Sequence, residues 1–247
     1  MRGGHLLARL LPVLALLLAW EAAARVIGSR LFPPATAVAA AMVQDARHGP
    51  LLHNLAATLG RVAAAFVVAM LLGSVLGIAM GRLPRLDRAL DSLLTGLLNL
   101  PALVVIVLIY VWFGLSETTA IAAVALNKLP TTAVTMREGA RALDRGLAEM
   151  AASFRMGRAE TLRHVVLPQL YPYLFGAARS GLALIWKIVL VAELLGRSDG
   201  VGFQIQVLFQ LFDVTGILAY TLAFIMVVQG IEWGLLQPLE RRANRWR

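Results

Sequence analysis

Six stretches of the chain are apolar over the length that a membrane-spanning helix requires. About 20 helical residues cross the hydrocarbon core of a bilayer. The clearest stretch is 62–80, which contains no charged residue, while 93–113 is interrupted only by Asn99 and Pro101. In chain order the stretches are 6–24, 62–80, 93–113, 118–136, 172–195 and 214–231. The pattern predicts an all-α integral membrane protein with about six transmembrane helices.

The first stretch, 6–24, supports a second interpretation. A basic start, an apolar run over 10–20 and three consecutive alanines at 22–24 are also typical of a cleaved secretory signal peptide. The apolar run is short for a span, but a short span is acceptable where neighbouring helices cover its polar groups. We expect the segment to be retained as the first transmembrane helix, with cleavage as the alternative.

The composition agrees with a lipid environment. Of the 247 residues, 59% are hydrophobic and 15% are charged, and the mean hydropathy is +0.75. These values leave too little polar surface to cover a globule in water. The net charge is +9, but the basic residues are not gathered in one polar domain, so nucleic-acid binding is not indicated. The absence of cysteine excludes disulfides and thiolate metal ligands.

The arginines predict the orientation of the spans. If the N-terminus is cytoplasmic and the six spans alternate, fifteen arginines fall inside, and five fall outside: Arg25, Arg30, Arg47, Arg61 and Arg197. Because basic residues favour the cytoplasmic side, both termini are predicted to be cytoplasmic. The predicted divisions are an N-terminal helix (1–27), an external segment (28–58), a core of five further spans (59–240) and a basic tail (241–247).

Glycines and prolines indicate local features of this architecture. Gly73, Gly77 and Gly81 share one helix face, where another helix can approach closely. The external segment is expected to form a short helix after two consecutive prolines at 33–34. Pro101 and Pro130 each lie within a predicted span, where a proline can kink a helix and free a carbonyl group.

The longest predicted cytoplasmic loop, 137–171, is polar and ordered. Apolar residues recur at helical spacing before Gly157, which is expected to stop a first helix, and again before Pro168, which is expected to end a second. The loop therefore predicts a helix, a turn and a helix with apolar side chains open to a protein partner. A basic helical hairpin lying on the bilayer surface is the alternative, and periodicity alone does not separate the two.

This loop resembles the coupling loop of ABC importer permeases. That motif has Glu-Ala-Ala, a glycine after three further residues, and Leu-Pro at its end. Glu149, Met150 and Ala151 fall on the first three positions, and Leu167 and Pro168 fall on the last two. The sequences "FPPATAV", "WFGLSE", "RHVVLP" and "VAELLGRSDGVGFQI" are similar to the nitrate, taurine, aliphatic sulfonate and bicarbonate branch. The resemblance covers about 32–233.

The resemblance implies a type I ABC importer permease in a bacterial inner membrane. Its coupling loop would dock on a cytoplasmic ATPase, so the ATPase-coupling candidates are Glu149, Met150, Ala151, Phe154, Arg155, Gly157, Leu167 and Pro168. One position departs from the motif. Arg155 stands at the glycine position, and Gly157 follows two places later. We expect either a shifted turn or a docking helix extended by half a turn.

The chain lacks the motifs of an enzyme. A phosphate-binding loop needs Gly-Lys-Ser or Gly-Lys-Thr, and neither of the two lysines follows a glycine. ATP and Mg²⁺ are therefore expected on a partner ATPase, with no cofactor in this chain. The four histidines show no paired metal-ligand spacing, and no nucleophile-elbow motif is present.

Charged residues within the predicted spans are candidates for lining a transport path. Lys128, Lys187 and Glu193 are such residues, because charge in a membrane is costly and is generally functional. The alternative is structural pairing of a lysine with Glu193 or Glu232. Lys187 and Glu193 are six residues apart and are expected on different helix faces.

These features predict the permease subunit of an ATP-driven importer. We expect a homodimer, because six helices are few to enclose a path, with a cytoplasmic ATPase and an external solute-binding protein. The expected solute is a small anion such as a sulfonate, taurine or nitrate. A thiamine-precursor-like solute is an alternative within the family, and a stand-alone secondary transporter, a channel or a non-transporting scaffold are alternatives outside it.

Overall fold

The computed structural model describes residues 3–236 and 238, and describes the side chains of 11–234 and 238. The predicted basic tail 241–247 lies outside these residues. Every regular element within them is helical. The α-helices are α1 (Gly3–Ile27), α2 (Ala35–His48), α3 (Leu51–Arg82), α4 (Pro84–Asn99), α5 (Ala102–Phe113), α6 (Glu117–Arg141), α7 (Arg145–Ser153), α8 (Arg158–Thr161), α9 (Leu167–Gly196), α10 (Val201–Gln210) and α11 (Val214–Ile231). Two π-helical turns, Leu162–Val166 and Glu232–Leu236, precede α9 and follow α11.

Within the described residues, three helices are long and apolar enough to cross a membrane. They are α3, the continuous helix Arg158–Gly196 that joins α8, the π turn and α9, and α11 with its extension to Gly234. A fourth span is present if α4 and α5 together cross once. Helix α6 covers the predicted span 118–136, but its polar residues make it less apolar than these three helices.

The third predicted span, 93–113, is divided at Pro101, one of the two prolines that can kink their helices. Helices α4 and α5 meet at an angle of 102°. The cause is Pro101, which disfavours helical geometry in the residue before it, and Leu100 is accordingly extended with ψ 129°. Pro130 has no such effect and lies inside α6.

Helices α3, α6 and α9 pack together at the centre of the chain. The close approach predicted for the glycines of α3 is confirmed. A Cβ on Gly77 would lie 2.2 Å from the carbonyl oxygen of Ala133, and one on Gly81 would lie 2.6 Å from the Cβ of Ala140. Because only glycine leaves room for the α6 backbone, these positions set the distance between α3 and α6.

The short helix expected after the two consecutive prolines is α2, which begins directly after Pro34. It is joined to the end of α1 by side chains. The Trp20 Nε1–H donates to the Pro33 carbonyl at 3.1 Å, and both the backbone N–H and the hydroxyl of Thr36 donate to Glu21. These bonds fix the angle between the first two helices.

Candidate functional site

The predicted coupling segment begins with a capped helix, α7. The carboxylate of Asp144 accepts hydrogen bonds from the backbone N–H groups of Gly146 and Leu147, which satisfies the free donors of the first turn. Along α7, Ala151 is buried, whereas Glu149 and Met150 are exposed. The helix therefore presents a mixed acidic and apolar face to the space outside the chain.

The turn after α7 is closed by Arg155 in the left-handed region. Arg155 has φ 53°, its N–H donates to the Ala152 carbonyl, and the N–H of Met156 donates to the Ala151 carbonyl. These two bonds define a Schellman motif, in which the left-handed residue is usually glycine. Arg155 thus adopts the backbone conformation of the glycine that the motif would place there.

Three expectations for this segment are therefore wrong. Helix α7 ends at Ser153 and is neither shifted nor extended, because Arg155 itself makes the turn. Gly157 has φ −64° and caps the following helix instead of stopping the first. Pro168 does not end the second helix, which runs on to Gly196. A π turn, with the N–H of Leu167 bonded to the Leu162 carbonyl, precedes Pro168 and makes room for its ring.

Apolar side chains near this turn remain uncovered. Phe154 is 76% exposed, and Leu147, Met150 and Leu167 are also exposed. Their role in coupling to an ATPase stays a prediction. Docking on an ATPase requires first a short, capped helix with an exposed apolar surface, and α7 with its following turn has this geometry.

The segment is tied firmly to the membrane helices. The side chain of Gln169 accepts a hydrogen bond from the Asp144 N–H at 2.8 Å and donates one to the Val165 carbonyl at 2.8 Å. At the C-terminal end of α6, Arg137 and Arg141 both form ion pairs with Asp87 of α4. The start of α7 is therefore joined to α9, and the end of α6 that precedes it is joined to α4.

Lys128 is deeply buried in α6, with 2% of its surface exposed. Its ammonium donates to the Thr131 hydroxyl at 2.8 Å, and its stem lies against Gly181 of α9, where a Cβ would be 2.5 Å from the lysine Cε. Neither Glu193 nor Glu232 pairs with it, so the expected alternative of structural pairing is wrong for this lysine. A cation held in this way has no carboxylate to offset its charge among the described residues.

Lys187 and Glu193 lie on different faces of α9, as expected. Lys187 is exposed on the outer surface of the helix bundle, whereas Glu193 is completely buried. Glu193 pairs with Arg61 of α3, whose Nη1 donates to its carboxylate at 2.7 Å. Glu193 is thus bonded to a structural partner, and its role in lining a path stays a prediction.

Arg61 is the centre of a polar network that the sequence analysis missed. Its guanidinium is 4% exposed and donates to Glu117, Glu193 and Asp199. The network joins α3, the start of α6, the end of α9 and the loop before α10. A signal was present in the sequence, because Asn54, Thr58 and Arg61 follow the helical spacing i, i+4, i+7 along α3.

The same network caps α10 with side chains from other helices. The N–H groups of Gly200, Val201 and Gly202 donate to Asn54, Thr58 and Glu193, each at 2.9 Å. The positive end of the α10 dipole therefore faces the Glu193 carboxylate. Burial alone would raise the pKa of Asp199, but its hydrogen bond and charge interaction with Arg61 hold that pKa below the ordinary value for aspartate.

Comparison with known proteins identifies relatives over most of the chain. The taurine transport system permease protein TauC of Escherichia coli K12 is 30% identical over 196 residues, which are 79% of this chain and 71% of the relative. A Bacillus subtilis protein named putative aliphatic sulfonates transport permease protein SsuC is 28% identical over 90% of this chain and 80% of the relative. The riboflavin transport system permease protein RibX of Chloroflexus aurantiacus is 30% identical over 96% of this chain and 89% of the relative.

Solved structures match the fold. The methionine ABC transporter MetNI in an inward-facing conformation gives a TM-score of 0.67 at 17% identity, covering 79% of this chain and 96% of its own. An amino acid ABC transporter gives a TM-score of 0.63 at 23% sequence identity, and the match covers 81% of this chain and 98% of the transporter chain. Residues 69–231 match the family described as the binding-protein-dependent transport system inner membrane component, and the chain belongs to this family of ABC importer permeases.

Proposed function

We propose that this chain is the permease subunit of an importer driven by a separate cytoplasmic ATPase. The observation that carries the proposal is the coupling segment, in which a capped helix and an exposed Phe154 follow α6 directly and are joined to α9 by the hydrogen bond between Asp144 and Gln169. A short helix fixed to several membrane helices converts movement of a docked ATPase into movement of those helices. In this assembly ATP and Mg²⁺ bind to the ATPase, and both termini of the permease are cytoplasmic.

The coupling role is tested by substitutions in α7. We expect Glu149→Ala and Phe154→Ala to leave the chain inserted but to weaken co-purification with the ATPase at least about tenfold, as expected for loss of docking side chains. Glu160→Ala is the matched control, since Glu160 is an exposed carboxylate of the same loop. Crosslinks from 149–157 that reach only lipid would support a surface hairpin instead.

The functional unit is proposed to be a homodimer. Lys187 lies in the middle of a membrane helix and is exposed on the lateral surface of one chain, together with Ser180 and Leu184 at spacing i, i+4, i+7. A charge in this place is costly against lipid, so a second copy or a water-filled path between copies should cover it. Crosslinking of a Leu184→Cys variant tests this, because the chain has no other cysteine.

The proposed solute is a small sulfonate-like anion delivered by an external binding protein. Two of the relatives are named for taurine and aliphatic sulfonates, and the buried cation Lys128 favours an anion. The relative named for riboflavin supports a larger organic solute as the second candidate. Uptake of radiolabelled taurine, ethanesulfonate and riboflavin into proteoliposomes, with the ATPase and binding protein present, decides between them.

The driving force separates this proposal from the alternatives outside the family. ATP-dependent uptake that requires the ATPase supports an importer. Uptake driven by an ion gradient without the ATPase would instead identify a secondary transporter. If neither preparation moves a solute although the ATPase binds, a non-transporting scaffold is the better description.

A further inference from the structure

Helix α6 carries a row of polar side chains along the predicted span 118–136. Asn127, Thr131 and Thr135 follow the spacing i, i+4, i+8, and Lys128 lies beside the first of them. We refer to these four residues as the polar stripe of α6. They lie within the predicted span 118–136 and near the central contact of α6 with α3 and α9. Carboxylates are absent from the stripe, and its side chains are an amide, an ammonium and two hydroxyls.

Each member of the stripe is bonded to α6 itself. The Asn127 amide donates to the Ala123 carbonyl at 2.9 Å, and the Thr135 hydroxyl donates to the Thr131 carbonyl at 2.9 Å. The Thr131 hydroxyl donates to the Lys128 carbonyl and accepts from the Lys128 ammonium, both at 2.8 Å. Each polar side chain of the stripe therefore makes a hydrogen bond without a ligand. Rotation of one side chain away from its partner on α6 breaks that bond and frees its donor group.

The charge of Lys128 lacks an equivalent compensation. Among the described residues no carboxylate lies within 4.0 Å of its ammonium, and its stem occupies the space left by the missing side chain of Gly181. Burying an unpaired cation is costly, and a hydroxyl partner offsets only part of that cost. Asn127, Thr131 and Thr135 are each partly exposed beside it. The arrangement fits an arriving anion that brings both a negative charge and several acceptor oxygens.

We propose that the polar stripe of α6 is the subsite that binds the oxygens of a sulfonate head group during translocation. Lys128 pairs with the negative charge, while Asn127, Thr131 and Thr135 rotate from their backbone carbonyls to donate to the sulfonate oxygens. The inference rests on the proposed transport function and assigns its anion selectivity to α6. Lys187 and Glu193 take no part in the subsite.

The first experiment measures binding without requiring transport. The chain has only two lysines, so protein labelled with [¹³C]lysine in lipid nanodiscs gives two Cε signals, which a Lys128→Met variant assigns. We expect ethanesulfonate to shift the Lys128 signal in a saturable manner. The neutral isostere ethyl methyl sulfone should not shift it. Equal shifts with both compounds, or no shift with ethanesulfonate, would overturn the proposal.

The second experiment separates a transport role from a structural one. We expect Lys128→Met to lower ATP-dependent ethanesulfonate uptake at least about tenfold, because one charge-assisted bond is lost, without lowering the thermal unfolding midpoint. A structural lysine would lower both. Thr131→Val should also reduce uptake, whereas Thr221→Val should not, because Thr221 makes the same backbone bond on α11 at 2.8 Å.

The outcomes distinguish failure of the proposed transport function from failure of the proposed subsite. Absence of ATP-dependent uptake by the unmodified protein contradicts the proposed function, while the lysine signals still report on the subsite. Normal uptake by Lys128→Met contradicts the subsite alone and leaves the importer in place.

Discussion

The pairing of Arg61 with Glu193 makes a quantitative prediction about stability. Replacing Arg61 by methionine removes the only cation bonded to Glu193 in the described structure and leaves that fully buried carboxylate with two neutral donors, Thr58 and Gly202. Breaking a buried ion pair by removing one partner costs about 3–5 kcal/mol. The partners Glu117 and Asp199 add little, because they are exposed enough to return to water.

The conservative change Glu193→Gln should cost less. A glutamine oxygen can still accept hydrogen bonds from Thr58 and Gly202, and Arg61 keeps its two other carboxylates. We therefore expect a loss of about 1.5–3 kcal/mol, typical of one charged hydrogen bond. The double variant Arg61→Met/Glu193→Gln leaves no unpaired charge at the position and should be more stable than Arg61→Met alone.

Thermal unfolding in nanodiscs, followed by the fluorescence of the five tryptophans, measures these differences. A loss of 3–5 kcal/mol corresponds to a decrease of about 10 °C in the unfolding midpoint for a chain of this size. The matched control is Arg88→Met, an exposed arginine on α4, which should change the midpoint by no more than about 2 °C. Strictly additive effects of the two network substitutions would refute the pairing, since coupled residues depart from additivity.

Three further predictions concern single positions. Arg155→Gly should stabilise the chain by about 1 kcal/mol, because glycine adopts φ 53° without the strain of a Cβ, and a lower unfolding midpoint would contradict this. Gly77→Ala should destabilise it by about 1–3 kcal/mol, since the new Cβ meets the α6 backbone, whereas Gly60→Ala on the same helix has open space and should not. The lowered pKa of Asp199 stabilises the folded state above the ordinary aspartate pKa of about 3.9, and this contribution is lost as pH falls through the lower folded value. Unfolding midpoints from pH 7 to about pH 3 should therefore fall less in Asp199→Asn than in the unmodified protein; equal slopes would contradict the assignment.

Local patterns in the sequence were sufficient to predict much of the fold. The helical class, the short helix after Pro34 and the close contact of α3 with α6 all follow from hydropathy, proline or glycine spacing. A kink at Pro101 was a possibility that the sequence indicated, but the division of the span into α4 and α5 at 102° was not predicted. A proline can be absorbed inside a helix, as Pro130 is in α6, or can divide it, and the local sequence does not distinguish these outcomes.

The candidate sites were predictable only in part. The coupling motif identified the segment around α7, but the backbone conformation of Arg155 depends on hydrogen bonds that close the turn. Arg61 was counted only as an external charge, because its partner Glu193 lies 132 residues away along the chain. Helical spacing along α3 indicates a polar face, whereas the identity of the partner is a long-range property that no local pattern contains.

The capping of α10 by other helices has a consequence for how the protein is made. Its first N–H groups bond to Asn54 and Thr58 of α3, 146 and 143 residues earlier in the chain. Since synthesis proceeds from the N-terminus, Asn54, Thr58 and Arg61 are in place in the chain long before α10 exists. Chains truncated before Glu193 would leave Arg61 without its buried partner and Asn54 and Thr58 without the N–H groups of α10.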